Sequence, residues 1–161
     1  MPSTPNPEFA LAPELSVSQW LNSAQPITLA GLRGKVVLIH AFQMLCPGCV
    51  MHGIPQTRRI AQSLRRDDFV VLGLHSVFEH HAVMTPQALE VFVHEFRLEF
   101  AIGIDRHEPG SSLPATMRAY GLQGTPTTLL IDRAGKLRMH EFGAVDDLAL
   151  GVQIGELLAQ A

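Results

Sequence analysis

The chain has 161 residues, about the length of one domain and enough to bury a hydrophobic core without cross-links. Apolar residues make up 47% of it and charged residues 17%, a composition that excludes an intrinsically disordered chain. The net charge of −3 offers no basic field for nucleic acid or an anionic membrane, and no apolar run reaches the ~20 residues of a membrane-spanning helix. We therefore expect a globular protein with no nucleic-acid partner and no membrane span.

The N-terminal segment is rich in proline. Residues 1–14 contain four prolines and no lysine or arginine, which predicts an extended arm followed by a single domain over residues 15–161. The segment lacks the charged start and the long apolar stretch of a secretory signal peptide. We therefore expect a cytoplasmic location.

A strand–helix–strand unit follows the arm. Residues 35–42 form a nearly continuous apolar and β-branched run, which is typical of a strand buried on both faces. Helical spacing then predicts a helix over residues 46–67, with a kink at Pro55, and residues 69–74 predict a second buried strand. Two parallel strands joined by a helix form a right-handed βαβ unit, so the fold class is α/β.

The second half of the chain contains further helices and strands. Thr85 and Pro86 form a helix start, since threonine caps the helix and proline suits its first position. The other expected elements are a strand over 100–104, a short helix over 114–120 closed by Gly121, a strand over 127–131, a turn over 132–135, its hairpin partner over 136–142 and a last helix over 146–160.

The chain has two cysteines, Cys46 and Cys49, at the carboxyl end of a buried strand where a helix begins. The partial positive charge of a helix N-terminus favours a thiolate, so we expect the pKa of Cys46 to lie below the ~8.5 of a free thiol. In a reducing compartment such a pair is more often catalytic or metal-binding than structural. A Cys-x-x-Cys that opens the helix of a βαβ unit is typical of a thioredoxin-like redox motif.

Several segments resemble the thioredoxin superfamily, and within it the TlpA/ResA-like and redoxin (AhpC/TSA-related) branch. Residues 37–49 (VLIHAFQMLCPGC) resemble that branch's strand and active site, and residues 124–127 (GTPT) resemble its cis-proline loop. The resemblance covers about residue 27 to the C-terminus, and residues 76–121 are similar to the branch's central insertion. It implies a thioredoxin-like fold, in which helices flank a central mixed β-sheet and the insertion lies between the βαβ unit and the cis-proline loop.

The resemblance also implies the roles of the site residues. Cys46 is the expected attacking thiol, Cys49 the resolving thiol and Pro126 a cis-proline that faces them. Pro47-Gly48 keeps the two sulfurs close and, with the backbone of Thr125, forms the expected substrate-binding edge. Thioredoxins usually carry tryptophan directly before the first cysteine, where this chain has leucine.

His40 interrupts the first buried strand, six residues before Cys46, where thioredoxin proper carries a buried acid. The period of a strand places it on the same face as Phe42, under the helix that begins at the cysteines. Two interpretations remain open. His40 accepts the proton of Cys49 when a mixed disulfide resolves, or it is a neutral core histidine hydrogen-bonded to a carbonyl.

The predicted function is that of a thiol–disulfide oxidoreductase without a cofactor. Its expected partners are protein or small-molecule disulfides and an unidentified dithiol that donates or accepts electrons. A thiol peroxidase is the first alternative, in which peroxide oxidises Cys46 and Cys49 captures the sulfenic acid. However, the Pro-x-x-x-Thr/Ser-x-x-Cys pattern of peroxiredoxins is replaced by Ile39 and Gln43 at the proline and hydroxyl positions.

A second alternative is a metal-binding module that uses the two cysteines and a histidine. The chain offers His75, His80, His81 and His94, but their spacing fits no structural zinc template. We therefore expect these histidines to be solvated or to cap helices, and we expect no metal site.

Overall fold

The structure of the chain is a computed structural model that describes residues 9–160. Its centre is a six-stranded mixed sheet in the order β1-β4-β3-β2-β5-β6. Strands β2, β3 and β4 run parallel, whereas β1 pairs antiparallel with β4 and β5 lies antiparallel between β2 and β6. The strands are β1 Val17–Leu21, β2 Val36–Phe42, β3 Phe69–His75, β4 Ala101–Asp105, β5 Thr127–Ile131 and β6 Leu137–Phe142. The predicted thioredoxin-like α/β fold with a mixed sheet is confirmed.

In the described part of the chain four α-helices flank the sheet, and several of their ends follow local rules. They are α1 Ile54–Ser63, α2 Pro86–Glu95, α3 Ala115–Tyr120 and α4 Asp147–Ala159. The hydroxyl of Thr85 accepts the backbone N–H of Ala88 and so caps α2, as predicted. Gly121 closes α3 in the left-handed conformation, with φ of 61°. Within residues 9–160, no helix is both long and apolar enough to cross a membrane.

The predicted helix over residues 46–67 differs from the structure in two ways. Its first part is a π-helical turn, Cys49–Gly53, in which the N–H of Ile54 bonds to the carbonyl of Cys49. Pro55 has no N–H to continue an α-helical ladder, so the irregularity expected at Pro55 falls just before it. The helix also ends earlier than predicted, at Ser63, because Leu64 leaves helical geometry and packs against the core.

The chain's N-terminal part contributes one strand that hydrophobic periodicity does not predict. Strand β1 has an irregular pattern of exposure and forms by pairing with β4. Before it, Leu11 makes an antiparallel bridge with Lys136, and the N–H of Ala12 donates to the carbonyl of Gly135. Of the predicted arm over residues 1–14, residues 1–8 lie outside the described residues, and the division into an arm and one domain stays a prediction.

Strand β2 holds the centre of the core, since all seven of its residues are buried. Val37, Ile39 and Ala41 pack on one face, whereas Val36 and Leu38 pack on the other face. A strand with neighbours on both sides and helices on both faces is expected to be continuously apolar. His40 is the exception in this strand, and it lies beneath the active-site helix.

Gly53 is the point at which this helix crosses His40. A Cβ atom on Gly53 would lie 2.6 Å from Nε2 of His40 and 3.4 Å from Cβ of Pro126. A Cβ atom essentially never lies this close to another heavy atom, and the buried ring has little room to move away. Glycine at position 53 therefore allows the helix to pack directly on the imidazole.

This packing predicts the effect of Gly53→Ala. The added methyl group must displace the helix or the buried ring, which we expect to lower the free energy of unfolding by about 1–3 kcal/mol. Urea denaturation would measure the change. In a His40→Ala background, Gly53→Ala should lower the free energy of unfolding by less, because the ring that the methyl group meets is absent.

Gly155→Ala in α4 is the matched control, because nothing lies within 4 Å of a Cβ atom there. Alanine is a better helix former than glycine, so this variant should be as stable as the parent or up to ~1 kcal/mol more stable. Equal effects of the two substitutions would contradict the close packing of Gly53 on His40.

Candidate active site

Cys46 and Cys49 form a disulfide just beyond the carboxyl end of β2, after a turn that begins at Gln43. Their Cα atoms are 5.2 Å apart, and Cys49 opens the π-helical turn. Cys49 is fully buried, whereas Cys46 is half-buried and faces the surface. A substrate can therefore reach the sulfur of Cys46 but not that of Cys49.

Two backbone groups surround the Cys46 sulfur. The N–H of Cys49 donates a hydrogen bond to Cys46 Sγ over 3.2 Å, and the carbonyl oxygen of Thr125 lies 3.4 Å from the same sulfur. The amide stabilises a thiolate at this position, as do the other unsatisfied N–H groups of a helix start. The carbonyl can accept the S–H of the protonated form.

The loop that carries Pro126 meets the cysteines from the other side of the site. The Thr125–Pro126 peptide bond is cis, which confirms the prediction. The loop is held in place because the N–H of Gly143 donates to the Pro126 carbonyl over 2.8 Å. Pro126 lies beside Gly48, with its Cδ 3.4 Å from the place of a Cβ atom there. The fold thus brings together two segments that are 79 residues apart in the chain.

The surface around Cys46 is open and partly apolar. Pro47 and Gly48 are exposed. Leu45 is 58% exposed and Met51 is 80% exposed, although both are large apolar side chains. The segment around Cys46 therefore presents apolar side chains to an approaching partner.

Gln43 and His75 hold the turn that precedes Cys46, and sequence analysis missed both. The Nε2 atom of His75 accepts the backbone N–H of Met44 over 3.2 Å, and the side-chain oxygen of Gln43 accepts the N–H of Phe78 over 3.1 Å. Both side chains are buried. The expectation that His75 is solvated is therefore wrong, because the pairing of β2 with β3 places it at the buried end of the sheet.

His40 is buried with 2% exposure, and its ring stacks parallel to that of Phe42, as predicted for one strand face. Its Nε2 has no hydrogen-bond partner among the described residues, so the carbonyl bond of the simple core interpretation is absent at that atom. Burial lowers the pKa of His40 to about 4, with a smaller contribution from the nearby charge of His52. The imidazole is therefore neutral near pH 7.

The helix that carries the cysteines is also tied to the loop before α4. Gln56 donates to the carbonyl of Val145 and to the carboxylate of Asp147, each over 2.7 Å. Arg59 forms an ion pair with the same carboxylate over 3.1 Å. These contacts fix the side of α1 that faces α4.

His80, His81 and His94 are exposed, in agreement with the expectation of solvated histidines. Between Phe9 and Gln160, no group of three or more histidine, cysteine, aspartate and glutamate side chains is arranged to hold a metal ion.

The fold and the site define a class of protein. A thioredoxin-like sheet whose Cys-x-x-Cys pair opens a helix opposite a cis-proline is the arrangement of redoxin-type thiol–disulfide oxidoreductases. The model of the AhpC/TSA family matches residues 4–140, and the chain belongs to this family.

Solved structures share the fold over almost the whole chain. The thioredoxin-like superfamily protein SPOA0173 is 54% identical, with a TM-score of 0.91 over 94% of this chain and 97% of that chain. A thiol-disulfide isomerase from Corynebacterium glutamicum is 47% identical, with a TM-score of 0.89 over 93% and 98% of the two chains.

The curated relatives are much longer proteins. Protein DipZ from Mycobacterium bovis and Mycobacterium tuberculosis is 29% identical over 153 residues, which are 93% of this chain. The chain spans 21% of the length of these relatives.

The burial of His75 predicts how the stability of the fold depends on pH. Burial lowers the pKa of His75 from 6.5 to about 4. Between these values the unfolded chain binds a proton at this position and the folded chain does not, so stability is complete above pH 6.5 and falls as the pH drops towards 4. Near pH 5, His75→Gln should reduce the slope of the free energy of unfolding by about 1.4 kcal/mol per pH unit.

Urea denaturation at several values between pH 7 and pH 4.5 would measure this slope. Glutamine can still accept the N–H of Met44, so the variant should fold. His94→Gln, at an exposed histidine, is the matched control and should leave the slope as in the parent. A slope that His75→Gln does not alter would contradict the burial of a neutral ring.

Proposed function

We propose that the Cys46-Pro47-Gly48-Cys49 segment exchanges disulfides with protein partners. The Cys46 thiolate attacks a substrate disulfide, so that one substrate sulfur leaves as a thiolate and the other forms a mixed disulfide with Cys46. Cys49 then loses its proton and attacks the Cys46 sulfur. The second substrate thiol departs and the Cys46–Cys49 disulfide remains, which a dithiol donor reduces again.

The single observation that carries this proposal is the unequal burial of the pair opposite the cis-proline. Cys46 is accessible and accepts an amide hydrogen bond, whereas Cys49 is fully buried behind it. An inert structural disulfide needs neither an accessible sulfur nor a stabilised thiolate. The order of attack follows from this geometry.

We further propose that an extended substrate segment binds along Thr125 and across Pro47-Gly48. The Thr125 carbonyl already lies 3.4 Å from the reacting sulfur, and the exposed apolar side chains of Leu45 and Met51 belong to the same segment as Cys46. Backbone groups recognise any extended peptide, which suits a protein with several substrates. The similarity to the Corynebacterium glutamicum thiol-disulfide isomerase supports protein disulfides as the substrate class. The cytoplasmic location stays a prediction.

The thiol peroxidase is the alternative that the family match supports. In that reaction the Cys46 thiolate attacks a peroxide oxygen, and Cys49 displaces water from the resulting sulfenic acid. Gln43 occupies the position of the peroxiredoxin hydroxyl, but its side chain is buried and its oxygen accepts the Phe78 N–H. This engagement of Gln43 favours disulfide exchange over peroxide reduction.

The experiment that tests the proposal uses Cys49→Ser. This variant should accumulate a mixed disulfide through Cys46 when it is mixed with insulin as a disulfide substrate, because the resolving thiol is missing. Intact-protein mass spectrometry would detect the adduct, and Cys46→Ser is the control that should form none. In the reduced parent protein, alkylation near neutral pH should label Cys46 before Cys49.

Preferential alkylation of Cys49, or no adduct with Cys49→Ser, would overturn the assignment of roles. Peroxide consumption with thioredoxin as the reductant distinguishes the thiol peroxidase from disulfide exchange. If the parent consumes peroxide rapidly and forms no insulin adduct through Cys46, the protein is a peroxidase rather than an exchange enzyme.

We propose that His40 accepts the proton of Cys49 in the resolving step. The support is its buried Nε2, which has no partner among the described residues, and its place under Gly53, one turn beyond Cys49. A neutral imidazole can take a proton at once, whereas a positively charged one cannot. Burial lowers its pKa, so the ring is neutral near pH 7 and its nitrogen is free to accept a proton, although the same burial weakens it as a base.

This role predicts the kinetics of His40→Ala. The first mixed disulfide should form at the parent's rate, but its resolution should slow by about tenfold or more on the acidic side, where thiolate is scarce. Stopped-flow measurements from pH 5 to pH 8 would follow the step. If His40 only fills space, the variant should instead melt at a lower temperature and keep the parent's pH profile of resolution.

A further inference from the structure

A cleft at the far end of the sheet is lined by arginines. Its volume is about 310 Å³, and it lies between the second half of α1, the start of β3 and the residues just before β4. Strands β2, β3 and β4 are parallel, so this end of the sheet is opposite the end that carries the cysteines. We call it the arginine cleft, after Arg58, Arg65, Arg66 and Arg97.

The arginine cleft has an apolar floor. Phe69 and Phe100 line it and are 6% and 8% exposed, and the side chains of Leu64 and Val71 lie beside them. The cleft therefore joins a buried aromatic surface to a rim of positive charge. Solvated arginines on a plain helix face would not enclose such a floor.

The positive charge of the cleft is only partly neutralised. Arg66 pairs with Asp68 over 2.7 Å, whereas Arg58, Arg65 and Arg97 have no ion-pair partner in the described part of the chain. Four guanidinium groups and the carboxylate of Glu99 line the cleft, and Asp68, which pairs with Arg66, is shared with Arg133, so a formal excess of at least two positive charges remains. This local excess arises in a chain whose net charge is −3.

Arg97 lies at a backbone position that favours glycine. Helix α2 ends in a Schellman motif, in which the N–H of Arg97 bonds to the His94 carbonyl and the N–H of Leu98 bonds to the Val93 carbonyl. Arg97 therefore adopts φ of 50°, a conformation that glycine takes without a steric cost. Gly121 fills the same position after α3.

The helix dipole does not account for the whole cluster. A cation at the end of α2 or α1 complements the negative C-terminus of that helix. Arg58, however, precedes the last turn of α1, and the dipole effect falls off within that turn. A ligand that needs several guanidinium groups explains why Arg58 and Arg97 face one cleft.

We propose that the arginine cleft binds a small organic phosphate monoester with an apolar body. A phosphate monoester carries nearly two negative charges, which match the excess of the rim, and its oxygens accept the paired N–H groups of arginine. The apolar body lies on Phe69 and Phe100. A volume of about 310 Å³ is within the range of small-ligand sites. This site is independent of the cysteine pair and goes beyond disulfide exchange.

Isothermal titration calorimetry with phenyl phosphate tests the proposal. Phenyl phosphate should bind at least about tenfold more tightly than inorganic phosphate or benzyl alcohol. Inorganic phosphate lacks the apolar body, and benzyl alcohol lacks the phosphate group. Equal affinity for inorganic phosphate, or for benzyl alcohol, would overturn the proposed ligand class. No saturable binding of phenyl phosphate would overturn the site itself.

Adjacent arginines of α1 provide a matched pair of variants. Arg58→Gln should weaken phenyl phosphate binding by about tenfold, because a charge-assisted hydrogen bond is lost. Arg59→Gln should leave binding unchanged, since Arg59 faces Asp147 on another side of the helix. Equal effects of the two variants would show an unspecific charge effect and overturn the proposal.

Arg97→Gly separates a binding role from a structural one. Glycine suits the left-handed position, so the melting temperature should rise by about 2–4 °C while phenyl phosphate binding weakens. If Arg97 only stabilises the end of α2, the variant should melt at a lower temperature and bind as the parent does. The second result would overturn the proposal.

Discussion

The buried central strand β2 is the constraint on which the rest of the structure depends. All seven of its residues are buried, and it pairs with β3 on one side and with β5 on the other. Because β5 runs antiparallel to β2, its first residue Thr127 lies opposite Ala41, near the carboxyl end of β2. Pro126 directly precedes Thr127, and the cysteines follow β2 after one short turn, so one pairing register brings the two halves of the site together.

The same strand determines how the helix with the cysteines packs. His40 and Phe42 lie on the face beneath that helix, and Gly53 leaves no more than the room that the imidazole needs. The π-helical turn before Pro55 lets the chain pass over the ring. Cys49 is thereby buried while Cys46 stays accessible, and this difference gives the two sulfurs separate roles in the proposed exchange.

Two buried polar side chains beside the end of β2 hold the site in place. A buried polar group costs stability unless it is hydrogen-bonded, and His75 and Gln43 each accept a backbone N–H from a neighbouring segment. They tie the turn before Cys46 to the end of β3. The Nε2 of His40 has no hydrogen-bond partner among residues 9–160, so it contributes no such link, and this is the reason for proposing a chemical role for it. At the opposite end of the sheet, Arg97 likewise occupies a position that backbone geometry favours for glycine.

The sequence by itself determined the parts of this protein that depend on near neighbours. An apolar run marked β2, Thr85 and Gly121 marked helix ends, and the cysteine spacing at a helix start marked the redox pair, since period, caps and turns are local properties. Only the tertiary structure decided that β1 forms, that His75 is buried at the end of β3 and that the helix before Pro55 takes a π turn. These features depend on strand register and on contacts between segments far apart in the chain, and no local pattern encodes such contacts.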